Sequence, residues 1–344
     1  MTIDDLGEFG LIERIRKLLP EAASSDVLVG IGDDVAVLDS GGDKLWLATC
    51  DVQVEGSHFL REAISPRDLG RKALAINLSD IASAGGSPRF ALVSLGLPRG
   101  LDVTFVDGLY AGLREEASLF GVDIVGGNLS SVRHGLFIDI FLLGEAPKGE
   151  VLLRSGAIAG DLLLVTGTLG DAAAGVATLL DPSFATTPDY LRTAKNRRDG
   201  PTPRVREGRL IGASGLAHAM IDLSDGLAGD LGHLCEQSRV GARIVARDLP
   251  VAKENRVLSA SARGDEWHFA LHGGEDYELL FAAPPGKAQE LAETVERETG
   301  TSVSIVGELL PAGSGIELTL QDGRTVPLAE RGWDHFEKGQ GDRT

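Results

Sequence analysis

Several kinds of residue are scarce in this chain of 344 residues, and each scarcity excludes a class of protein. Cysteine occurs only at Cys50 and Cys235, which is too few for a disulfide framework and lacks the spacing of zinc ligands. Basic residues number 33 against 51 acidic ones, and a net charge of -18 without a basic run argues against nucleic-acid or membrane-surface binding. No apolar run approaches the roughly 20 residues that span a bilayer, and the N-terminus lacks a signal-peptide pattern. These features predict a cytoplasmic protein without a membrane or nucleic-acid partner.

Common nucleotide-binding signatures are also absent from the sequence. The chain has no G-x-x-x-x-G-K-[ST] segment, its GIGDDV segment lacks the third glycine of a dinucleotide fingerprint, and neither H-R-D nor D-F-G occurs. The sequence therefore excludes a P-loop enzyme and a protein kinase. Any nucleotide phosphates must be held mainly through metal ions and backbone turns.

The first part of the chain alternates strand-like and helix-like segments. Ser65 and Pro66 form a typical helix start, which predicts a helix over 67–84, and Gly121 ends a second helix predicted over 103–120. Apolar runs predict strands at 45–50, 89–97, 122–125 and 136–143. The resulting order β-α-β-α-β-β predicts an α+β layer of the ferredoxin-like type.

The second part begins after a polar segment at 144–150, which we interpret as the connection between an N-terminal domain, 1–148, and a C-terminal domain, 149–344. A strand at 161–165 leads through a glycine-rich turn into an alanine-rich helix. The polar segment 181–204 is predicted to be a mobile loop or lid. A helix over 205–213 and strands at 218–223, 242–246, 277–282 and 303–309 complete an α/β domain with a mixed sheet.

Acidic residues recur in short segments punctuated by glycine, serine or threonine near the ends of apolar runs. Buried carboxylates are costly unless a cation meets them, and oxygen-only ligand sets suit magnesium. The sequence therefore indicates a magnesium-dependent enzyme acting on phosphates. The residues concerned are Asp33, Asp34, Asp51, Asp80, Asp222, Asp225, Glu275 and Asp276.

Asp80 is the most informative of these carboxylates. In a helix it lies on the same stripe as Leu69, Ala73 and Ile76, and so on the apolar face. A metal ligand is the favoured interpretation, and a carboxylate that caps the helix is the alternative. The pair Asp33-Asp34 taken alone is also typical of an ordinary turn.

Segments throughout the chain resemble thiamine-monophosphate kinases, members of the superfamily that includes aminoimidazole ribonucleotide synthetase. The matching segments appear in the order of that family and cover nearly the whole sequence. They are GIGDDVAVL, TCDVQVEGSHF, KALAINLSDIASAGGSP, VGGN, LLRSGAIAGDLLLVTGTLGDAAAG, DLSDGL, GGEDYELLF and GWDHF.

The resemblance implies a homodimer whose N-terminal domains pair their sheets into a barrel, with each ATP site between domains. It implies ATP as co-substrate, several magnesium ions, and transfer of the γ-phosphoryl group to thiamine monophosphate, with thiamine diphosphate as product. Carried over by position, it implies magnesium ligands at Asp33, Thr49, Cys50, Asp51, Asp80, Asn128, Asp222 and Asp225, ATP contacts at Tyr110, Gly127, Asn128, Arg154 and Ser224, and acceptor contacts at His58, Glu275 and Trp333.

Two of these positions depart from the family pattern. Asn128 replaces an acidic residue, so it brings a carbonyl oxygen but no charge to a metal. Cys50 replaces threonine or serine, and a thiol is a poor magnesium ligand, although its backbone carbonyl remains available. For His58, Trp333 and Cys50 the alternative to a role in the site is an ordinary structural role, as residues packed in a core.

The implied reaction needs no catalytic side chain that removes a proton. Its nucleophile is a phosphate oxygen that is already ionised, so positioning and charge neutralisation supply the rate. Two alternatives remain open at this point. One is a sister ATP-dependent synthetase of the same superfamily with another substrate, and the other is a non-catalytic nucleotide-binding dimer, motivated by Asn128 and Cys50.

Overall fold

The N-terminal half of the computed structural model, which describes residues 3–5, 7–19, 24–184 and 186–328, is a six-stranded sheet with helices on one face. The sheet order is β1-β2-β3-β6-β4-β5, and only the β4–β5 pair is parallel. A 3-10 turn at Ile3–Asp5 precedes the elements, which are α1 (Gly7–Leu18), β1 (Val27–Val29), β2 (Ala36–Leu38), β3 (Lys44–Val54), α2 (Pro66–Ser83), β4 (Ser87–Pro98), α3 (Val103–Phe120), β5 (Asp123–Val132) and β6 (Phe137–Pro147).

Helix α2 begins and packs as its sequence dictates. The Ser65 hydroxyl accepts a hydrogen bond from the Asp68 amide, and Pro66 occupies the first turn. Helix α3 crosses α2 so closely that a Cβ on Gly112 would lie 1.9 Å from the Arg67 carbonyl oxygen. Helices α2 and α3 thus pack side by side on this sheet, α2 over β3 and β6 and α3 over β5.

The opposite face of this sheet is not covered by any element among the described residues. Cross-strand pairing places Cys50, Phe141 and Leu92 in one row of that face and Val52, Asp139, Ser94 and Asn128 in the next. Val52, Leu92 and Phe141 are exposed there, and β5 forms a solvent-exposed edge. A sheet with one helical face leaves its other face to water or to another protein.

The C-terminal half contains a seven-stranded mixed sheet in the order β13-β12-β9-β11-β7-β10-β8, which confirms the predicted mixed sheet. Its elements are β7 (Leu162–Thr166), α4 (Asp171–Leu180), α5 (Pro188–Asp199), α6 (Val205–Ser214), β8 (Ala219–Asp222), α7 (Leu227–Ser238), β9 (Gly241–Val245), α8 (Lys253–Arg263), α9 (His268–His272), β10 (Leu279–Ala283), α10 (Pro285–Thr299), β11 (Val303–Leu310), β12 (Ile316–Thr319) and β13 (Thr325–Pro327), with a 3-10 turn at Ala246–Asp248.

One apolar core joins the two halves. Leu74 and Leu78 of α2 belong to the same buried cluster as Ile211 of α6, Met220 of β8 and Phe281 of β10. Helix α2 therefore lies between the two sheets and can bring residues of both halves to one site. No helix among the described residues combines the length and apolar character that a bilayer crossing needs.

Several sequence expectations require correction. The order β-α-β-α-β-β is confirmed for β3 to β6, but ferredoxin-like connectivity is wrong, because that fold alternates as β-α-β-β-α-β. The segment 144–150 is not a connection throughout, since β6 continues to Pro147.

The segment 181–204 is not a loop either, because it contains α5. Thr187 caps this helix through its side chain, Pro188 starts it, and Tyr190 and Ala194 are buried against α4. The polar composition of the segment concealed a short helix that buries only one narrow face.

Candidate active site

The inner face of α2 and the facing strand β3 together hold a row of polar side chains. Thr49 Oγ1 donates to Asp80 Oδ2 at 2.5 Å, and the Asp51 amide donates to Asn77 Oδ1 at 3.0 Å. Asp51 thus lies inside β3 and not at a strand end, which corrects the sequence expectation. Asp80 is in the last turn of α2, facing the sheet as its position on the apolar stripe predicted.

Carboxylates from other segments lie near Asp80. Ser79 Oγ donates to Asp222 Oδ2 at 2.6 Å, which ties the end of β8 to α2. Ser83 Oγ donates to Asp34 Oδ2 at 2.6 Å, which ties the GIGDD turn to the same helix. The serines of the NLSDIAS segment therefore act as hydrogen-bond donors that draw acidic residues of both halves together.

Arg154 is the basic residue of this cluster. Its guanidinium donates two hydrogen bonds to Asp34 Oδ1, one of them 2.8 Å long from Nε, and its amide donates to Asp33 Oδ2 at 3.2 Å. Burial alone would lower the pKa of Arg154, but the charges of Asp34 and Asp33 raise it. Arg154 is thus a permanent cation beside the carboxylates.

Burial, and after it the crowding of negative charge, raises the pKa values of the acids in the cluster. Burial, followed by repulsion from Asp51 and Asp222, raises the pKa of Asp80. Burial and the charge of Asp34 raise the pKa of Asp222 to about 8, and burial with the same neighbour raises that of Asp33 to about 6. These shifts show that the cluster carries more negative charge than its protein neighbours compensate.

The donor set of the cluster fits magnesium. It offers carboxylate and hydroxyl oxygens without a competing thiol or imidazole donor among the hydrogen-bonded groups. No three Asp, Glu, His or Cys side chains within the described ranges enclose a metal position by themselves. Magnesium characteristically keeps waters and shares substrate phosphates, so a few carboxylates around an open space suit it.

The DLSDG turn after β8 is held in place by hydrogen bonds to α7 and to the GGEDY segment. Asp230, at the start of α7, accepts a hydrogen bond from the Asp225 amide at 3.1 Å, and burial with repulsion from Asp225 raises the Asp230 pKa. Sequence reasoning missed Asp230, although it lies five residues after Asp225 in a run that begins a helix. The Glu275 amide donates to the Ser224 carbonyl at 2.7 Å, so the GGEDY segment is attached to this turn.

Glu275 contacts the middle of α2, about two helical turns before Asp80. Its Oε1 pairs with Lys72 Nζ at 2.6 Å, and Lys72 Nζ also approaches the His58 carbonyl at 3.5 Å. His58 Nδ1 accepts a hydrogen bond from the Val54 amide at 2.9 Å. The structure thus brings His58 and Glu275, both predicted to contact the acceptor substrate, together around Lys72. Sequence reasoning missed Lys72, although a lysine inside the apolar run KALAINL indicates a buried cation that needs a partner. Trp333 lies outside the described residues.

The remaining predicted ATP contacts lie at the β5 edge. Tyr110, Gly127 and Asn128 line a cavity of about 390 Å³. A Cβ on Gly127 would lie 1.8 Å from the Val93 carbonyl oxygen, and its φ of +155° also favours glycine. Gly127 stands in the same cross-strand row as Asp51 but three strands away, or roughly 14 Å at the usual strand spacing. Three of the five predicted ATP contacts therefore lie together at the β5 edge, apart from Asp51.

The side chains of Cys50 and Asn128 lie on the uncovered face of the sheet, opposite Thr49 and Asp51. Cys50 Sγ donates to Asp139 Oδ1 at 3.1 Å, and partial burial, with Asp139 adjacent, raises the pKa of this thiol to about 12. The structure does not bring these two side chains to the Asp80 cluster. The thiol is thus protonated at neutral pH and cannot serve as a thiolate ligand.

Comparisons with known proteins agree along the whole chain. The family described as AIR synthase related protein, N-terminal domain, matches residues 32–146, and the corresponding C-terminal domain matches 159–318. The thiamine-monophosphate kinase of Aquifex aeolicus is 36% identical over 98% of this chain and 100% of its own length. That of Escherichia coli is 36% identical over 96% and 98%. A solved structure described as AaThiL complexed with AMPPCP and TMP is 35% identical, covers 97% of this chain and 99% of its own, and superposes with a TM-score of 0.83.

Proposed function

Because the chain belongs to the thiamine-monophosphate kinase family of AIR synthase related proteins, we propose that it transfers the γ-phosphoryl group of ATP to thiamine monophosphate. The products are ADP and thiamine diphosphate. The observation that carries this proposal most directly is the Asp80 cluster, in which acids from four segments converge beside Arg154. Such a site neutralises phosphates and positions them, which is the main requirement of phosphoryl transfer.

We assign the residues of the cluster to magnesium and ATP. The ions would be held by Asp33, Thr49, Asp51, Asp80, Asp222 and Asp225, and they would supply positive charge next to the phosphates. Arg154 and Ser224 would contact ATP from the same side. Asp34 keeps the Arg154 guanidinium oriented through its two hydrogen bonds.

The acceptor end of the site comprises His58 and Glu275, with Trp333 assigned by resemblance alone. The acceptor carries a cationic thiazolium ring, and a carboxylate attracts such a ring while an aromatic side chain stacks on it. The attacking phosphate oxygen is ionised at neutral pH, so no side chain has to remove a proton. The reaction is therefore governed by how the two ends of the site hold the substrates in line.

The first experiment is an assay for thiamine diphosphate, made by the purified protein from thiamine monophosphate and ATP across a magnesium titration. Magnesium-dependent product, lost on chelation with EDTA, is expected. ATP binding without product on this acceptor would contradict the proposal. It would favour the sister synthetase if another acceptor is phosphorylated, and the non-catalytic dimer if none is.

We also propose that the protein is a homodimer in which two N-terminal sheets pair into a barrel, with the division near residue 148 separating this dimerisation layer from the C-terminal domain. Two observations support a second copy as the occupant of the uncovered face. The face carries the exposed apolar residues Val52, Leu92 and Phe141, and the predicted ATP contacts Gly127 and Asn128 lie on the exposed β5 edge, three strands from Asp51.

Leu92→Glu should therefore convert the dimer to a monomer, because it places a charge at the centre of an apolar interface. Light scattering coupled to gel filtration would show the mass falling by half. Val103→Glu is the matched control, since Val103 is an exposed apolar residue at the start of α3, on the helical side of the sheet. A mass that Leu92→Glu leaves unchanged would contradict pairing through this face.

A further inference from the structure

Lys72 is a buried cation in the middle of α2. Only 2% of its side chain is exposed, whereas lysine is almost never fully buried unless it is paired. Its carboxylate partner is Glu275, and its second polar neighbour is the carbonyl oxygen of His58. Lys72 thus lies between the two described residues assigned above to the acceptor, and it comes from a different half of the chain than Glu275.

The backbone that presents Glu275 is held in an unusual conformation. Glu275 has a φ of +68° and Tyr277 a φ of +49°, both in the left-handed region that residues other than glycine seldom adopt. Amide hydrogen bonds from Glu275 to Ser224 and from Tyr277 to Leu223 hold this segment against the DLSDG turn. Strain of this kind persists where the surroundings impose it, and it clusters at binding sites.

Lys72, near the middle of α2, and Asp80, in its last turn, lie on one face of this helix. They are separated by eight residues, or about 12 Å along a helix axis, with Ile76 between them on the same face. On β3, Gln53 follows Asp51 on the face that packs against α2, and its Oε1 is buried without a hydrogen-bond partner among the described residues. The acceptor end of the row therefore contains polar groups that the protein itself does not fully satisfy.

We propose that Lys72 is a positioning residue of the acceptor site. Its ion pair with Oε1 of Glu275 fixes this carboxylate, so that Oε2 is left to recognise a cationic heteroaromatic acceptor. This inference rests on the proposed function. Because Oε1 is committed to Lys72, only Oε2 remains for a ligand, and its direction is set by the ion pair. The pair also joins α2 to the C-terminal half at the place where the acceptor would be held in line with phosphates near Asp80.

The test combines Lys72→Met, Glu275→Gln and the double variant in steady-state kinetics, with thiamine monophosphate and ATP varied separately. Lys72→Met should raise the KM for thiamine monophosphate at least about tenfold, which corresponds to 1.4 kcal/mol, and change that for ATP less than about twofold. The double variant should be no worse than the more impaired single one, because both changes break the same contact. Lys72→Arg keeps a cation and should recover part of the loss.

Arg71→Met is the matched control. Arg71 precedes Lys72 on α2 and pairs at 3.1 Å with Glu116, a buried carboxylate of α3, so its loss also breaks an ion pair of this helix. It should lower the melting temperature without changing the KM for thiamine monophosphate. An equal rise of this KM in Arg71→Met, a parallel rise for ATP in Lys72→Met, or multiplicative losses in the double variant would overturn the inference.

A binding readout separates this inference from the proposed function. Thiamine monophosphate added with magnesium and a non-hydrolysable ATP analogue should raise the melting temperature of the wild type but not that of Lys72→Met. A wild type that shows this shift without turnover, beside a Lys72→Met variant that lacks the shift, would refute the kinase while supporting Lys72. Wild-type protein without a shift would overturn the role of Lys72, and a shift that Lys72→Met retains in full would do the same.

Discussion

Asp80→Asn should reduce phosphoryl transfer by roughly 10²- to 10³-fold or more and, at the same time, stabilise the magnesium-free protein. Turnover falls because the substitution removes one charge from the site where phosphates and metal ions meet. Asparagine retains the size of the side chain and an oxygen that can accept the Thr49 hydrogen bond, so the fold is preserved.

The gain in stability follows from the direction of the Asp80 pKa shift. Burial and the charges of Asp51, Asp222 and Asp34 all raise this pKa, so the ionised form is less favourable in the folded chain than in the unfolded one. Above the unfolded pKa the folded protein pays this penalty as long as no metal compensates. Removing the charge should raise the free energy of unfolding by about 1 kcal/mol, or roughly 1 to 2 °C in melting temperature for a chain of this length.

Melting curves with EDTA and with saturating magnesium, measured beside the kinase assay, check both parts. Magnesium should stabilise the wild type more than the variant, because the variant has lost a ligand. Glu116→Gln serves as control, since Glu116 of α3 is also a buried carboxylate with a raised pKa but pairs with Arg71 of α2 away from the Asp80 cluster. This variant should keep both its turnover and its stabilisation by magnesium. An Asp80→Asn protein that turns over like the wild type would remove Asp80 from the site.

The sequence allowed most of this site to be predicted where local pattern and burial agree. The stripe from Leu69 to Asp80 placed Asp80 on the inner face of α2 because helical periodicity leaves no other choice. The end of β8 at Asp222 was equally clear from the apolar run that precedes it. Superfamily motifs then extended the prediction to residues whose own neighbourhoods are uninformative, such as Arg154.

What could not be predicted depends on contacts between distant segments. Lys72 looks like an ordinary charged residue until Glu275, about 200 residues later, is folded against it. Asp230 stabilises the DLSDG turn only because the first turn of α7 places its carboxylate within hydrogen-bond distance of the Asp225 amide. Helix α5 was missed because a polar 12-residue helix is stabilised by packing against α4, which a single-sequence pattern does not display.

Inactive variants of the two ATP-contact groups should restore each other's activity within one dimer. Tyr110→Ala and Arg154→Met should each lower kcat/KM for ATP by roughly 100-fold, because each removes a contact to the nucleotide. If the β5 edge of one copy completes the site around Arg154 of the other, a heterodimer of these variants contains one site with both lesions and one with neither. Its activity should therefore be about half that of the wild-type dimer.

The heterodimer can be isolated by coexpressing the two variants with different tags and purifying through both. Arg154→Met combined with Ser224→Ala is the control pairing, because these residues belong to the same group and each site then retains one lesion. Rescue by the first pairing and none by the second requires a site shared between copies. If neither pairing recovers activity, the two groups act within one chain, and one extended nucleotide must span the roughly 14 Å between Gly127 and Asp51.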